Sequence, residues 1–475
     1  MATGSGADRS AVESGCVRPV RLTGHTDQID MATGEIRRSA APPVVHVRCN
    51  NRRASACPDC SRLYQRDARR IVVSGLDGGN GGGGAGRDGA AASGGPAWFV
   101  TLTAPSFGPV HSRRAGKGAD ARVCRQRRGT CEHGRALSCH LRHNADDRRL
   151  GEPLCLACFD YGRAVVWNAL VPALWKATRD RLESAVASAV GLTVTALRRV
   201  VRVSFVKVAE MQRRGLVHLH VVIRVDGRDP AGDPTAPPAW AYTDLIADCL
   251  RDVVASVSVG APDPAAVALL DSSGALPRAA SGDGWAVRWG GQVDIRRIRI
   301  GSDTEAGKVG NYLAKYLTKS VTDSGALDAP VRSLRQLARL GLRDHARRLV
   351  ETCWRLGSDQ AFTEAVDAAA GRPAGRTSGL IRWSHSWGFG GHWLTKSRRY
   401  STTFGKVRAV RRRWSRLLAA ALSGRPLGIE DGGPVVLDEF GRPDGDERTL
   451  TVGRWRYAGR GRDPATGDGG AGAVP

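Results

Sequence analysis

The chain has 475 residues, with 71 Lys and Arg against 46 Asp and Glu, a formal net charge of +25. This excess favours a polyanionic partner, although a high-GC coding sequence raises Arg, Ala and Gly by itself. No run of eighteen apolar residues occurs and Met1 to Ser10 holds no apolar stretch, so neither a spanning helix nor a secretory leader is expected. The expectation is a soluble cytoplasmic protein whose cysteines are not paired as disulfides, with no membrane partner.

In chain order, residues 1–40 are polar and irregular and are expected to be disordered. A first cysteine cluster occupies 41–74. Residues 75–97 hold the run Gly-Gly-Asn-Gly-Gly-Gly-Gly and read as a flexible insertion. Trp98 to Thr103 predicts a strand, a second cysteine cluster spans 124–158, and Leu170 to Ala189 predicts an amphipathic helix. Val200 to Glu210 and Leu216 to Val225 are Val-rich and roughly alternating. With the polar, Gly-closed segment Met211 to Gly215 between them, they predict an antiparallel hairpin. A Pro/Gly loop (Asp226 to Pro238), a helix (Trp240 to Val257) and an alternating strand (Val293 to Ile300) lead to a helix around Lys308 to Ser320. Val331 to Arg355 predicts a strongly basic helix. Together these give an α+β domain over 98–325, an antiparallel sheet flanked by helices, with cysteine-rich segments inserted near its start. A basic helical and aromatic region at 326–457 and a disordered tail at 458–475 follow.

Two short stretches carry chemistry. A hairpin turn near Arg214 places Glu210 opposite His218, and the two-residue period of a strand puts His220 on the same face. Two imidazoles and a carboxylate on one sheet face suit a divalent ion such as Mg²⁺ or Mn²⁺ acting on a phosphate oxygen. Gln212 could reach the same ion through water, and ranks below Glu210 because a neutral amide is the weaker ligand. The second stretch repeats Y-x-x-K, Tyr312 with Lys315 and Tyr316 with Lys319. On a helix the two phenols are i and i+4 neighbours and the lysines form a column beside them. A phenol titrates near 10, so attack on a phosphodiester at neutral pH needs a nearby cation.

The cysteines cluster rather than scatter. Cys49, Cys57 and Cys60 include a C-P-D-C pair, and Cys131, Cys139, Cys155 and Cys158 include a second C-x-x-C. Such pairs present two thiolates to one tetrahedral ion, so structural Zn²⁺ is expected at both sets. The fourth ligand of the first set is open between His46 and Cys124, and one site drawing on both C-x-x-C pairs is a further arrangement. Cys16, Cys249 and Cys353 read as bystanders. Ile381 to Arg416 carries ten Lys or Arg and no Asp or Glu. Trp383, Trp387, Phe389, Trp393, Tyr400, Phe404 and Trp414 are interleaved with them, a pattern that suits single-stranded nucleic acid, with several of the rings assigned to the core.

The order Trp98-Phe99-Val100-Thr101-Leu102-Thr103, Glu210 through His220, then Tyr312 through Lys319 resembles the HUH endonucleases of the two-tyrosine variety. These occur in rolling-circle replication initiators. With the cysteine-rich region and basic C-terminal block, the likeness is nearest to initiators of actinomycete plasmids and integrative conjugative elements, and runs from about Val47 to Tyr400. The resemblance implies the HUH fold and a divalent metal held by His218, His220 and Glu210. It also implies nicking of single-stranded origin DNA by Tyr312 or Tyr316, leaving a 5′-phosphotyrosine and a free 3′-hydroxyl that primes synthesis, with Lys315 and Lys319 as phosphate or acid partners. Host replication machinery such as a helicase would then be a partner. A two-tyrosine transposase shares these residues, a relaxase has the opposite motif order, and a zinc-dependent DNA-binding regulator without cleavage is the non-enzymatic alternative.

Overall fold

A computed structural model describes residues 15–38, 44–76, 95–115, 121–268, 285–299, 303–318, 327, 330–373, 379–422, 427–430, 433–443 and 446–461. The fold is mixed α+β with antiparallel sheets, in two compact units: Val72–Ser401, and a discontinuous one made of Met1–Ile71 with Thr402–Pro475.

The larger unit is built on an antiparallel sheet of β1 (Ala97–Leu102), β2 (Val201–Met211), β3 (Val217–Arg228), β4 (Val293–Ile298) and β5 (Leu394–Lys396), in the order β4-β1-β3-β2-β5, with the short strand Pro234–Thr235 also paired to β3. Alternation assigns the faces. Trp98, Val100, Leu102, Leu219, Val221, Ile223 and Val225 are buried on one side. Against them lies α1 (Tyr161–Ala189), capped by Asp160, whose carboxylate accepts from Arg163 N at 2.9 Å. From Ala164 to Val171 every residue of α1 is buried, so this stretch is a core helix rather than an amphipathic one, and it begins nine residues before the expected start. Each fully buried Leu, Val or Ile here contributes roughly 1.5–3 kcal/mol of apolar transfer. Trp167 Nε1 donates to the Arg288 carbonyl at 2.9 Å, and Trp289 Nε1 donates to Thr178 Oγ1 at 3.0 Å, so the large rings are satisfied as well as packed.

The helix expected over 240–257 divides into a 3-10 turn, Ala239–Tyr242, and α2 (Leu245–Ser256). The tyrosine helix is α3 (Asp303–Thr318), followed by α4 (Asp344–Ser358) and α5 (Gln360–Ala369). The single basic helix expected over 331–355 is instead Leu334–Ala338 and α4, with a turn through Arg339 to Leu342 between them. Trp387, Phe389 and Tyr400 are buried, which places these three rings in the core, whereas Trp414 is 68% exposed.

The smaller unit corrects two boundaries. Residues 20–38 lie within the stretch expected to be disordered, yet they form the strands Val20–Asp30 and Ile36–Arg38. Val20–Asp30 pairs along its whole length with Thr449–Arg460, and on its other edge with Ile36–Arg38 and Val44–Val47. The expected 326–457 region is therefore divided, its part after Ser401 joining the N-terminal cysteine region. Asp67 is buried and paired with Arg408 and Arg411 of the helix Phe404–Leu422. The Gly-rich insertion falls outside the described residues over 77–94, as does the tail beyond 461.

Candidate active site and metal groups

The hairpin has the register expected from sequence. Glu210 is opposite His218, Val208 opposite His220, and on the neighbouring strand Thr101 is opposite His220. Phe99, Thr101, Glu210, His218 and His220 thus share the face away from α1. The turn that sets this register is held at several points. Gly215 adopts φ +82, a left-handed conformation, and a Cβ there would lie 2.4 Å from Leu349 Cδ1. The fully buried Asn168 of α1 donates from Nδ2 to the carbonyls of Gly215 (2.8 Å) and Trp387 (3.0 Å), and its Oδ1 accepts from Val217 N at 3.0 Å. Arg214 donates to the carbonyls of Ala104 and Pro105, both at 3.1 Å, and burial pulls its guanidinium down to about 10. The Arg214 carbonyl in turn accepts from His345 Nε2 at 3.1 Å, and Tyr161 donates its hydroxyl to His345 Nδ1 at 3.0 Å. Burial holds His345 down to about 4, so this imidazole is neutral at pH 7.

On the face of the sheet away from α1, His220 Nε2 lies 3.3 Å from Glu210 Oε2 and its Nδ1 lies 3.5 Å from Thr101 Oγ1. Nε2 and the Glu210 carboxylate face each other at a distance that a shared proton or a shared cation bridges. Two ligands at about 2.1 Å on adjacent octahedral positions stand about 3.0 Å apart, so His220 and Glu210 fit a shared hard divalent cation. The His218 ring centroid is 4.6 Å from that of His220, and its Nδ1 is 3.4 Å from Gln212 Nε2. Arg214 donates to Gln212 Oε1 at 2.8 Å and so turns the amide nitrogen toward His218. Among the described residues, His218 is not gathered with His220 and Glu210 as tightly as the cysteine groups below are.

Helix α3 lays Leu313, Ala314 and Leu317, all buried, against the molecule. The same periodicity turns Tyr312 and Tyr316 to the imidazoles: their ring centroids are 5.4 and 4.5 Å from His220 and 4.7 Å from each other. Phe99 supports both sides, 5.8 Å from His220 and 5.5 Å from Tyr312. Partial burial, a hydrogen bond with Tyr316 and the Glu210 charge push the Tyr312 phenol up to about 12, with Arg296 opposing. Lys315 is exposed on α3, and Lys319 lies outside the described residues. Sequence reasoning missed Asn168, His345, Phe99 and Thr101 as supports of the site. Only Phe99 and Thr101 carried a signal, as members of an alternating strand.

Among the described residues, ligand-type side chains gather in three groups whose donor atoms all lie within 4.8 Å of one another. The first is Cys16, Cys49, Cys57 and Cys60. Cys16 Sγ is 3.9 Å from Cys57 Sγ and 3.7 Å from Cys60 Sγ, against about 3.8 Å for two thiolates on one tetrahedral Zn²⁺. Cys16 is therefore no bystander, and neither His46 nor Cys124 takes the fourth place. In the second group, Cys131, Cys155 and Cys158 are joined by His133, whose Nδ1 is 3.3 Å from Cys158 Sγ. Cys139 belongs elsewhere, because a β-bridge pairs Arg125 with Cys139 and brings Cys139 beside Cys124, in a third group with His111 and His143. Each C-x-x-C pair sits in its own group, which overturns the single shared site. The chemistry of these groups is compatible with structural zinc.

With sheet, helix and cysteine groups in place, the class of protein follows from comparison with known sequences. Residues 7–469 match the family described as RepSA, replication initiator protein, pSAM2, and the chain belongs to that replication initiator family. A replication initiator protein of Streptomyces ambofaciens is 36% identical over 454 residues, covering 94% of this chain and 84% of the relative. No solved structure matches. Among the described residues, no helix is long and apolar enough to cross a membrane.

Proposed function

We propose that this replication initiator is an HUH-type nickase that cuts single-stranded origin DNA for rolling-circle replication through Tyr312 or Tyr316. The observation that carries the reading is the convergence of both phenol rings on His220, itself in contact with Glu210. Glu210, His220 and, across one ring-to-ring contact, His218 would hold Mg²⁺ or Mn²⁺. Such an ion, when bound, polarises the scissile phosphate and favours phenolate over phenol.

The chain's own residues divide the remaining work. One phenol gives up its proton and its oxygen attacks phosphorus. The bond to the 3′ oxygen breaks, and that oxygen takes up a proton and leaves as a 3′-hydroxyl able to prime synthesis. The 5′-phosphotyrosine conserves the phosphodiester, so rejoining by a 3′-hydroxyl needs no ATP. The second phenol, 4.7 Å away, can cut again while the first remains attached. Lys315, three residues on from Tyr312, supplies charge to the phosphate, and Lys319 is assigned the same role beside Tyr316. Phe99 and Thr101 position His220, the ring by stacking and Nδ1 by its hydroxyl. Zinc at the Cys16, Cys49, Cys57, Cys60 group and at the Cys131, His133, Cys155, Cys158 group is structural, and host replication machinery, such as a helicase that unwinds the duplex, acts at the nicked origin.

The reading is tested with labelled single-stranded oligonucleotides tiling the DNA around the protein's own coding sequence, incubated with Mn²⁺ and run on a denaturing gel. The expected result is a protein–DNA band that survives SDS, needs His218 and disappears in Tyr312→Phe/Tyr316→Phe. A band that persists in the double variant, or none from any oligonucleotide, overturns it.

A further inference from the structure

We infer that His111, Cys124, Cys139 and His143 bind a third structural Zn²⁺, and that Asp147 and Arg213 tie this ion to the turn of the histidine hairpin. The ion site does not depend on the nicking reading, and only the importance of the turn does.

The four donor atoms lie within 4.8 Å of one another, and the two closest approaches around His143 have the spacing of a tetrahedral site. Two imidazole nitrogens on one Zn²⁺ stand about 3.3 Å apart, and an imidazole nitrogen and a thiolate about 3.6 Å. His111 Nδ1 is 3.2 Å from His143 Nε2, and Cys139 Sγ is 3.5 Å from the same nitrogen. Cys124, Cys139 and His143 are buried, so the sulfurs do not reach water for compensation. Backbone geometry presents the ligands in pairs. Arg125 and Cys139 exchange both backbone hydrogen bonds at 2.9 Å, and Cys124 N donates to the Leu141 carbonyl at 2.9 Å. Ser112 N donates to Cys124 Sγ at 3.3 Å, the kind of support a thiolate ligand needs.

The surroundings match a metal-bound histidine. His143 Nδ1 lies 2.7 Å from Asp147 Oδ2, so a proton on Nδ1 leaves the Nε2 lone pair for the ion, and the carboxylate fixes the ring. Asp147 is itself held by Arg149, whose Nη2 donates to Oδ2 at 2.9 Å. The link to the hairpin leaves from the same residue. Arg213, in the turn between β2 and β3, donates from Nη1 to the Asp147 carbonyl at 3.1 Å. Gly151, with φ +87, packs so closely on Arg213 that a Cβ would fall 2.4 Å from its carbonyl carbon, and Gly151 N donates to the His111 carbonyl at 2.8 Å. Asp147 and Arg213 are positioning residues. The ion reaches the turn through one side chain and one backbone contact.

Full-length protein carrying its zinc is expected to contain three ions per chain by elemental analysis. Zinc-edge X-ray absorption should give an average first shell of three sulfurs to one nitrogen, from nine cysteines and three histidines. Cys139→Ser and His143→Ala should each fall to two ions and raise amide exchange at residues 211–217. Asp147→Asn is the gentler variant: three ions remain, but one is lost to a chelator at roughly 10–100-fold lower chelator concentration than in the parent. Two ions in the parent, with a shell of seven sulfurs to one nitrogen, would mean that His111, His143 and Asp147 form a hydrogen-bonded relay without metal, and would overturn the proposal. A chelator curve for Asp147→Asn that overlays the parent's, or unchanged exchange at 211–217 in both ligand variants, would also overturn it, whether or not the protein nicks DNA.

Discussion

The hairpin that bears His218 and His220 and the helix that bears Tyr312 and Tyr316 reach one spot by different means. The hairpin is fixed by the core: Asn168 makes two hydrogen bonds to its turn and a third to the Trp387 carbonyl, Gly215 supplies a conformation other residues resist, and neutral His345 props the Arg214 carbonyl. The helix is fixed by one apolar face, Leu313, Ala314 and Leu317, and its phenols stand on the opposite, wetter side, Tyr312 being 43% exposed. The imidazoles are thus built into the fold, while the phenols are presented nearer its surface. Damage to the first should appear as lost stability and damage to the second as lost chemistry.

The largest separation of these effects is expected in Tyr312→Phe/Tyr316→Phe. The covalent adduct should fall below detection while the unfolding free energy moves by less than about 1 kcal/mol, since only exposed or half-exposed hydroxyls are removed. A loss of stability exceeding that would erase the distinction. In the opposite sense, Asn168→Ala leaves two carbonyls and the Val217 N–H without partners in a dry site and should cost about 4 kcal/mol, read by denaturant unfolding. Gly215→Val combines positive φ with a clash against buried Leu349 and should cost about 3 kcal/mol, with the adduct yield falling only in step with the folded fraction.

Acid tests the prop. His345 is held near 4 in the folded protein, below its ordinary value, so between pH 6.5 and pH 4 the unfolded chain binds a proton that the folded one does not. Stability therefore falls as pH falls through that window, by about 2–3 kcal/mol for this group, and His345→Gln should flatten the slope. An unchanged slope in the variant would remove His345 from the hairpin's support. The smallest effect concerns the helix. With Tyr316→Phe leaving Tyr312 as sole nucleophile, a phenol that ordinarily titrates near 10 should make the adduct rate climb about tenfold per pH unit from 6.5 to 8.5. A flat profile would mean that proton loss from Tyr312 does not limit the step.

Much of the site was legible before any coordinates. Valine-rich alternation around a Gly-closed turn is enough to set the Glu210–His218 register, because a two-residue period leaves few alternatives, and a four-residue spacing pairs the phenols. The supports were not legible. Asn168 is the one polar residue in the apolar stretch Ala164–Val171, and its partners lie 47 to 219 residues away. The cysteine groups were half legible, since C-x-x-C marks a pair through local spacing alone. Cys16 stands 33 residues from Cys49, and His111, His133 and His143 carry no spacing signal, so folding was needed to bring them in. The strands over 20–38 read as disordered for the same reason, their main partner lying at 449–460.

That last pairing has a consequence for synthesis. Translation delivers Val20–Asp30 long before Thr449–Arg460, so the longest edge of this strand stays unpaired until that distant partner has left the ribosome. A prematurely terminated product therefore carries an open strand edge, a template for aggregation and a mark for proteolysis. Completion of this sheet therefore waits until Thr449–Arg460 has been made.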